Sequence, residues 1–306
     1  MTSEETLQEL LSYLKTTRYQ FIAVTPATHA QVLTRPAPKP IGLRDIFGWN
    51  RWFEQSDVDP SLIALLEDGN VLETRGDGSL RAQVRVASLG DDLLLHSPFP
   101  TDAVDSVFFG PDTYRFARFI GEQLPRLASA QWLVDMGAGS GAGAIATASC
   151  RSFQKTTLVD VNPSALRLAK INAAAAGVGV ETLVSDRIPD GADLVIANPP
   201  YMIDSASRSY RDGGDLLGGA VALDWAKQAL ASLAPGGAML LYTGAAYVEG
   251  EAPLLGELTK VCARAGASLE LTEIDPDVFG EELGQPQYER VERIAAVGAV
   301  INTASG

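Results

Sequence analysis

Asn198-Pro-Pro-Tyr201 has the residue types and the spacing to hold a planar nitrogen group. It follows Asp193-Leu-Val-Ile-Ala197, which predicts a buried strand, and the prolines end that strand because they lack N–H groups and have nearly fixed φ angles. Asn198 is kept out of the α region by the proline that follows it. We therefore expect the Asn198 amide oxygen, the Pro199 carbonyl and the Tyr201 ring at the carboxyl end of a strand, where ligands bind in open α/β sheets. Oxygen acceptors beside an aromatic face suit an NH2 group; the alternative is a rigid turn in which Tyr201 caps the core.

A glycine-rich segment, Asp135-Met-Gly137-Ala-Gly139-Ser-Gly141-Ala-Gly143, follows the predicted strand 132–136. Glycines there permit a tight turn and let a ligand approach the backbone at the N-terminus of the next helix. The segment also fits the loose dinucleotide-binding fingerprint. Asp135 favours S-adenosylmethionine instead, because its carboxylate can lie near the amino and sulfonium charges of that molecule but would repel a pyrophosphate.

Two further predicted strands are followed by acidic residues. Asp160 ends the strand 156–160 and can accept hydrogen bonds from both hydroxyls of a ribose. Its alternative role is to cap the next helix, although Asn162 is better placed for that role because Pro163 follows it. Asp186 comes after the strand 180–184 and can accept from the amino group of an adenine; the alternative is a solvated loop carboxylate.

These strand ends define two sets of candidate residues. The candidates for catalysis are Asn198, Pro199 and Tyr201. The candidates for cofactor binding are Asp135, Gly137, Gly139, Gly141, Asp160, Asn162, Asp186 and Asn198.

The candidates require a sheet whose strands end side by side. From residue 132 onward, strand-like and helix-like stretches alternate, which predicts an α/β fold with a doubly wound, mostly parallel, seven-stranded sheet. The last two strand-like stretches, 268–274 and 291–301, are joined without a clear crossover helix and predict a terminal antiparallel pair. Asn198 follows the fourth strand in this order.

Residues 1–108 predict a smaller N-terminal α+β domain that acts as an accessory or substrate domain. Helical patterns come first and a hairpin follows, in which the apolar residues of 80–86 alternate with Arg81, Gln83 and Arg85 as a half-exposed strand. Helices followed by a hairpin resemble a winged helix. We assign residues 109–306 to the cofactor-binding domain.

The charge balance disfavours nucleic acid as a partner. The chain has 306 residues, 46% of them hydrophobic and 20% charged, which is typical of a globular protein, and its net charge is −14. Residues 1–110 contain 9 basic and 15 acidic residues, and the remainder contains 15 and 23. Neither part offers the basic surface from which nucleic-acid binding draws much of its affinity.

The remaining reactive residues predict neither a metal site nor a disulfide. Cys150 and Cys262 lie in helix-like stretches without ligand spacing, and His29 and His96 are isolated from other ligand residues. The N-terminus lacks the basic and apolar regions of a secretion signal, and no apolar run reaches the length of a membrane span. We expect a cytoplasmic protein without a membrane partner.

Residues 132–242 resemble class I S-adenosylmethionine-dependent methyltransferases. The resemblance rests on Val134-Asp-Met-Gly-Ala-Gly-Ser-Gly141, Asp160 and Asn198-Pro-Pro-Tyr201. The tetrapeptide is similar to that of amino-methyltransferases that act on planar nitrogens, either the exocyclic amines of nucleobases or the glutamine amide of release factors.

Two partial matches favour the glutamine-amide group. Gly110-Pro-Asp-Thr113 is similar to its Pro-Asp-Thr segment, with Tyr114 in place of the expected Glu. Asp212-Gly-Gly-Asp-Leu-Leu-Gly218 is similar to its Gly-Gly-x-Asp-Gly-Leu segment, with different spacing. Arg208 and Arg211, just after the tetrapeptide, could form a rim on the substrate side; a solvated loop is the alternative.

The resemblance implies an S-adenosylmethionine-dependent N-methyltransferase whose acceptor is a protein or small-molecule amide or amine. It implies that Asn198 and the Pro199 carbonyl hold the NH2 group towards the methyl group while Tyr201 stacks on the acceptor plane. A nucleobase amine of rRNA or DNA is the second acceptor class. A nicotinamide-dependent oxidoreductase would use the same glycines but leaves Asn198-Pro-Pro-Tyr201 unexplained, and a non-catalytic binding protein is the remaining alternative.

Overall fold

The computed structural model describes residues 2–204 and 210–304. The helices of its N-terminal region are α1 (Ser3–Thr16), α2 (Pro26–Leu33) and α3 (Pro60–Asp68). Two antiparallel strand pairs follow them: β1 (Leu72–Thr74) with β2 (Leu80–Ala82), and β3 (Arg85–Leu89) with β4 (Asp92–His96). Helices therefore precede strand pairs, as the sequence predicts.

The predicted half-exposed strand 80–86 is wrong, because the chain divides it into β2 and β3, which belong to different sheets. The N–H of Gln83 donates to the Val71 carbonyl oxygen at 2.7 Å instead of extending one ladder. Arg85 is buried, with 5% of its surface exposed, and its Nε donates to the Gly48 carbonyl oxygen at 3.0 Å. Alternation could not reveal this burial, because the segment around Gly48 covers the polar face of the strand.

Residues 132–302 contain the predicted seven-stranded sheet. Its strands are β5 (Trp132–Met136), β6 (Lys155–Asp160), β7 (Glu181–Val184), β8 (Leu194–Ala197), β9 (Ala238–Tyr247), β10 (Ser268–Asp275) and β11 (Arg293–Asn302). The order across the sheet is β10-β11-β9-β8-β5-β6-β7. The strands from β9 to β7 are parallel, and β11 pairs antiparallel with both β9 and β10. The predicted fold class is confirmed.

Helices cover both faces of this sheet. They are α4 (Pro111–Gln123), α5 (Ala142–Cys150), α6 (Pro163–Ala175), α7 (Ala220–Ser232) and α8 (Pro253–Ala265). Because β5 lies between β6 and β8, the chain changes direction there, and such a switch point opens a crevice at the carboxyl ends of the strands. In the described ranges, no helix combines the length and the apolar character that crossing a bilayer requires.

The N-terminal region packs against α6. Ile171 of α6 belongs to the same buried cluster as Leu7 and Leu10 of α1. The neighbouring Asn172 is fully buried: its Oδ1 accepts from the Leu95 N–H at 2.8 Å, and its Nδ2 donates to the carbonyl oxygens of Leu95 and Ser140, each at 2.9 Å. One side-chain amide therefore connects β4 to the glycine-rich turn after β5.

Burial of His96 should make the stability of the protein depend on pH. The His96 ring is fully buried and stacked on Phe109, and neither ring nitrogen has a hydrogen-bond partner in the described chain. Burial, and to a smaller extent the charge of Arg85, holds the pKa of His96 well below its usual range; His29 is also close enough to contribute. Below about pH 6.5, His96 therefore takes up a proton in the unfolded chain but stays neutral in the folded chain. The free energy of unfolding consequently decreases as the pH falls.

In the wild-type protein, we expect His96 to lower the free energy of unfolding by about 1.4 kcal/mol for each pH unit between pH 6 and 5. His96→Phe preserves the ring stack and should remove this contribution. The measurement is the free energy of unfolding by urea for both proteins across that range. Comparing the two slopes cancels the contributions of all other titrating groups. Identical slopes would show that His96 is not buried in its neutral form.

Candidate functional site

A cavity of about 790 Å³ opens at the carboxyl ends of β5, β6, β7 and β8. All the predicted site residues but one line it: Asp135, Gly137, Gly139, Asp160, Asn162, Asp186, Asn198, Pro199 and Tyr201. Gly141, which was predicted with them, does not line the cavity. It precedes α5 with a φ of 78°, and a Cβ there would lie 3.1 Å from the Cβ of Ala169, so it allows α5 and α6 to pack closely.

Asp135 lies at the deep end of the cavity. Its side chain is buried, and its Oδ2 accepts from the Ala144 N–H at the start of α5, at 2.8 Å. A Cβ on Gly143 would lie within about 3 Å of both carboxyl oxygens, so glycine is needed there. Burial raises the pKa of Asp135 to about 8, which leaves the carboxyl largely protonated at neutral pH.

Asp160 joins two strand ends. Its Oδ2 accepts from the Gly139 N–H and its Oδ1 from the Asn162 N–H, both at 2.9 Å. Burial raises the pKa of Asp160 as well. Gly139 has a φ of 53° and Gly137 a φ of 69°, a conformation that glycine adopts without strain. Asp160 thereby holds the glycine-rich turn in one shape.

Asn162 caps α6. Capping this helix was the alternative role considered for Asp160, and the structure gives that role to Asn162. Its Oδ1 accepts from the Ser164 N–H at 2.9 Å, and its Nδ2 donates to the Asp105 carbonyl oxygen at 2.7 Å. Both polar ends of the side chain are therefore already engaged. Asn162 shapes the cavity wall and ties it to the connector that precedes α4.

Asp186 lies at the rim of the cavity. Its carboxylate is exposed and 3.8 Å from the Arg187 guanidinium, and its backbone oxygen accepts from Gln228 Nε2 at 3.3 Å. An exposed acceptor at the end of β7 is free to meet a ligand that projects out of the crevice.

The Asn198 tetrapeptide forms the opposite wall. Asn198 is half-buried, and no hydrogen bond within the described residues engages its side chain. The Tyr201 ring is buried, contacts Phe279 edge-on at 6.0 Å, and lies so close to Gly244 that a Cβ there would overlap it. The Tyr201 hydroxyl is buried and has no hydrogen-bond partner in the described chain.

A polar network lies beneath Tyr201, and the sequence did not predict it. The Tyr242 hydroxyl donates to Asp112 Oδ1 at 2.7 Å, and Arg115 donates to the same oxygen at 3.2 Å and to Asp275 Oδ2 at 2.9 Å. Burial, reinforced by the Asp112 charge, raises the pKa of Tyr201 well above its usual range. The Gly110–Thr113 match was the available signal for Asp112, but nothing local marked Tyr242.

The segments after Tyr201 and around Phe279 meet at the mouth of the cavity. Arg211 pairs with Glu282 at 2.6 Å and lies 3.8 Å from Asp204, so it is an internal tie as well as a rim residue. Arg208, its predicted companion, lies outside the described residues. No three His, Cys, Asp or Glu side chains converge as metal ligands in the two described ranges.

The chain is similar to known methyltransferases. Residues 115–247 match the family described as "Methyltransferase small domain". A release factor glutamine methyltransferase of Koribacter versatilis is 33% identical over 152 residues, which cover 44% of this chain and 53% of the relative. A ribosomal RNA large subunit methyltransferase G of Vibrio vulnificus is 30% identical over 104 residues, which cover 31% and 27%.

Solved structures share the fold. The crystal structure of Trm5b from Pyrococcus abyssi aligns with a TM-score of 0.50 and 17% identity, over 76% of this chain and 62% of that one. The chain spans about half the length of the curated relatives it matches, 53% and 56% for two of them.

Gly244→Ala should destabilise the protein by about 1–3 kcal/mol, because the added methyl group overlaps the Tyr201 ring and the neighbouring sheet cannot yield. The free energy of unfolding in urea measures this cost. Gly256→Ala is the matched control: Gly256 is exposed in α8 with nothing within 4 Å of a Cβ, so alanine should keep or raise the stability. An unchanged unfolding midpoint for Gly244→Ala would contradict the position of the ring.

Proposed function

We propose that this chain carries a class I S-adenosylmethionine-dependent methyltransferase domain and that it methylates a glutamine-like amide nitrogen of a protein. The match of residues 115–247 to the family described as "Methyltransferase small domain" supports the reaction class. One observation carries the proposal: the half-buried Asn198 amide, with no hydrogen bond to its side chain in the described chain, lines the same cavity as the glycine-rich turn and Asp160. The resemblance to release factor glutamine methyltransferases supports the acceptor class.

The cofactor end of the cavity fits S-adenosylmethionine. Asp160 has carboxylate lone pairs available for ribose hydroxyls, and the turn at Gly137 and Gly139 lets a ligand reach the backbone. The buried Asp135 carboxyl would be stabilised in its charged form by a nearby cation, and the exposed Asp186 could accept from the base. When bound, the cofactor supplies an electrophilic methyl group on a sulfonium.

The acceptor end holds the nucleophile. In our proposal Asn198 Oδ1 and the Pro199 carbonyl oxygen each accept a hydrogen bond from one N–H group of the acceptor amide. This directs the nitrogen lone pair towards the cofactor end. Tyr201 limits how deep the planar group enters. Alignment of this kind contributes roughly 7–11 kcal/mol at its upper limit. A strong base is not required, because an alkylated amide nitrogen loses its proton readily to water.

The proposal extends to the division of the chain. Residues 109–306 would bind the cofactor and perform the transfer, and residues 1–108 would close the cavity and position the acceptor. Pro26 and Ala27 support this division, because they lie on the cavity wall beside the connector residue Phe108.

A nucleobase amine is the second candidate acceptor. It is favoured by the match to a ribosomal RNA methyltransferase and by the planarity of the exocyclic amines. Transfer of labelled methyl from S-adenosylmethionine to cell extract decides between them. Label that protease removes and nuclease spares supports the protein acceptor; label that nuclease removes contradicts it.

Asn198→Ala should keep the affinity for S-adenosylmethionine and lower the rate of transfer about 100-fold or more, because in this proposal the main role of the amide is to hold the acceptor. Calorimetry measures the affinity, and labelled methyl measures the rate. Asn302→Ala is the control, since Asn302 lies at the far end of β11 and its Nδ2 donates to Ser268 Oγ. Unchanged turnover in Asn198→Ala would remove Asn198 from the chemistry, and preferential binding of NAD would overturn the cofactor assignment.

Cofactor affinity should rise with pH. The Asp135 pKa is about 8 chiefly through burial, with a contribution from Asp160, and a cation bound nearby would lower it. Binding then releases a proton, so the affinity for S-adenosylmethionine should increase by up to about tenfold per unit from pH 6 to 7.5. Calorimetry in buffers of different ionisation enthalpy measures that proton. Asp135→Asn should lack the dependence; if it retains the full slope, Asp135 is not the titrating group.

A further inference from the structure

The wall of the cavity carries more carboxyl groups than cationic side chains, although Asp135 is largely uncharged at neutral pH and Asp112 pairs with Arg115. Among the described residues that line it, eight carry carboxyl groups and two are arginines: Asp112, Asp135, Asp160, Asp186, Asp212, Asp224, Glu281 and Glu282 against Arg187 and Arg211. Both arginines are engaged, Arg187 beside Asp186 and Arg211 by Glu282. The two arginines are therefore not free to bind a phosphate group. A phosphate-bearing acceptor would be repelled by the surrounding carboxylates.

Part of this acidity lies at the acceptor end. Glu281 and Glu282 follow Phe279, which contacts the Tyr201 ring, and Asp212 pairs with the residue after Tyr201 in an isolated β-bridge. Glu281 is exposed, and its carboxylate makes no ion pair within the described chain. This end of the cavity favours a positively charged segment around the acceptor nitrogen.

A second cavity of about 490 Å³ adjoins the first, and Asp212 lines both. Its wall combines carboxylates, two leucines and two side-chain amides, and it contains no basic and no aromatic residue among those described: Asp212, Asp215, Leu216, Leu217, Gln285 and Gln287. Apolar surface next to carboxylates suits the aliphatic stem and charged head of Lys or Arg. It offers no ring on which a base could stack.

From these two cavities we propose that the acceptor glutamine is carried by a basic, extended polypeptide segment, one cationic side chain of which occupies the second cavity. The inference rests on the proposed methylation of a glutamine and adds the character of the surrounding segment. Ile203, which lines the second cavity, is two residues from Tyr201, so the cationic side chain should lie within about three residues of the glutamine.

Short fluorescein-labelled peptides with a central glutamine test this proposal. One carries lysines two and three residues from the glutamine, a second carries glutamates there, and a single-stranded RNA of similar length is the third probe. Fluorescence anisotropy at low and high salt measures binding to the full chain. We expect only the lysine peptide to bind well, with an affinity that falls as salt screens the rim.

The variant Asp215→Asn/Glu281→Gln removes two exposed charges, whose side chains make no hydrogen bond or ion pair in the described chain. It should weaken lysine-peptide binding about tenfold at low salt and much less at high salt. Glu67→Gln/Asp68→Asn makes the same change of charge on α3 and should leave binding unaltered. Equal losses in both variants, or tighter binding of the RNA than of the lysine peptide, would overturn the proposal.

Methyl transfer is scored separately with labelled S-adenosylmethionine. Charge-dependent binding without transfer to the glutamine would contradict the proposed function and support the assignment of this surface to a basic segment. Equal transfer to the lysine and glutamate peptides would support the proposed function and overturn the surface assignment.

Discussion

The glycine-rich turn and the start of α5 keep their shape because three side chains satisfy their backbone groups. Asp135 accepts from the start of α5, Asp160 accepts from the Gly139 N–H, and Asn172 donates to the Ser140 carbonyl oxygen. Buried backbone groups without such partners would each be unfavourable by about 1–3 kcal/mol. The turn is therefore held by contacts from β5, β6 and α6.

The use of Asp135 and Asp160 as acceptors places two carboxyl groups near each other in a region of low dielectric. Burial raises the pKa of both Asp135 and Asp160, and the charge of Asp160 raises that of Asp135 further. The free protein thus carries a local electrostatic cost that a cation would remove. Because any ligand that binds only the folded chain stabilises it, a cationic cofactor would couple binding and stability through these two residues.

The residues that sequence reasoning found lie where strands end. Asp160 and Asn198 follow apolar runs, and parallel strands bring such ends together, so local pattern was sufficient to place them. Asn172, Asp112 and Tyr242 lie within helices and a strand, and their most distant hydrogen bonds join Asn172 to Leu95, 77 positions away, and Asp112 to Tyr242, 130 positions away. Hydrogen bonds across such separations depend on the packed fold, which periodicity and spacing do not encode. The same reason explains the buried Arg85, whose covering segment lies 37 positions earlier.

Tyr201 was found from the local sequence pattern, but its role depends on contacts that only the packed fold provides. The sequence allowed two roles, a ring that stacks on the acceptor or a cap on the core, and the structure places the ring firmly in the core against Gly244 and Phe279. A ring fixed by its own packing cannot adapt to each acceptor, so an acceptor must match the geometry that is already present. In the proposed reaction, Asn198 would then set the direction of the nitrogen and Tyr201 its depth. Glycine at position 244 is consequently required by the packing of the Tyr201 ring, and thereby by the proposed acceptor site, although it lies in a strand remote in sequence from the tetrapeptide.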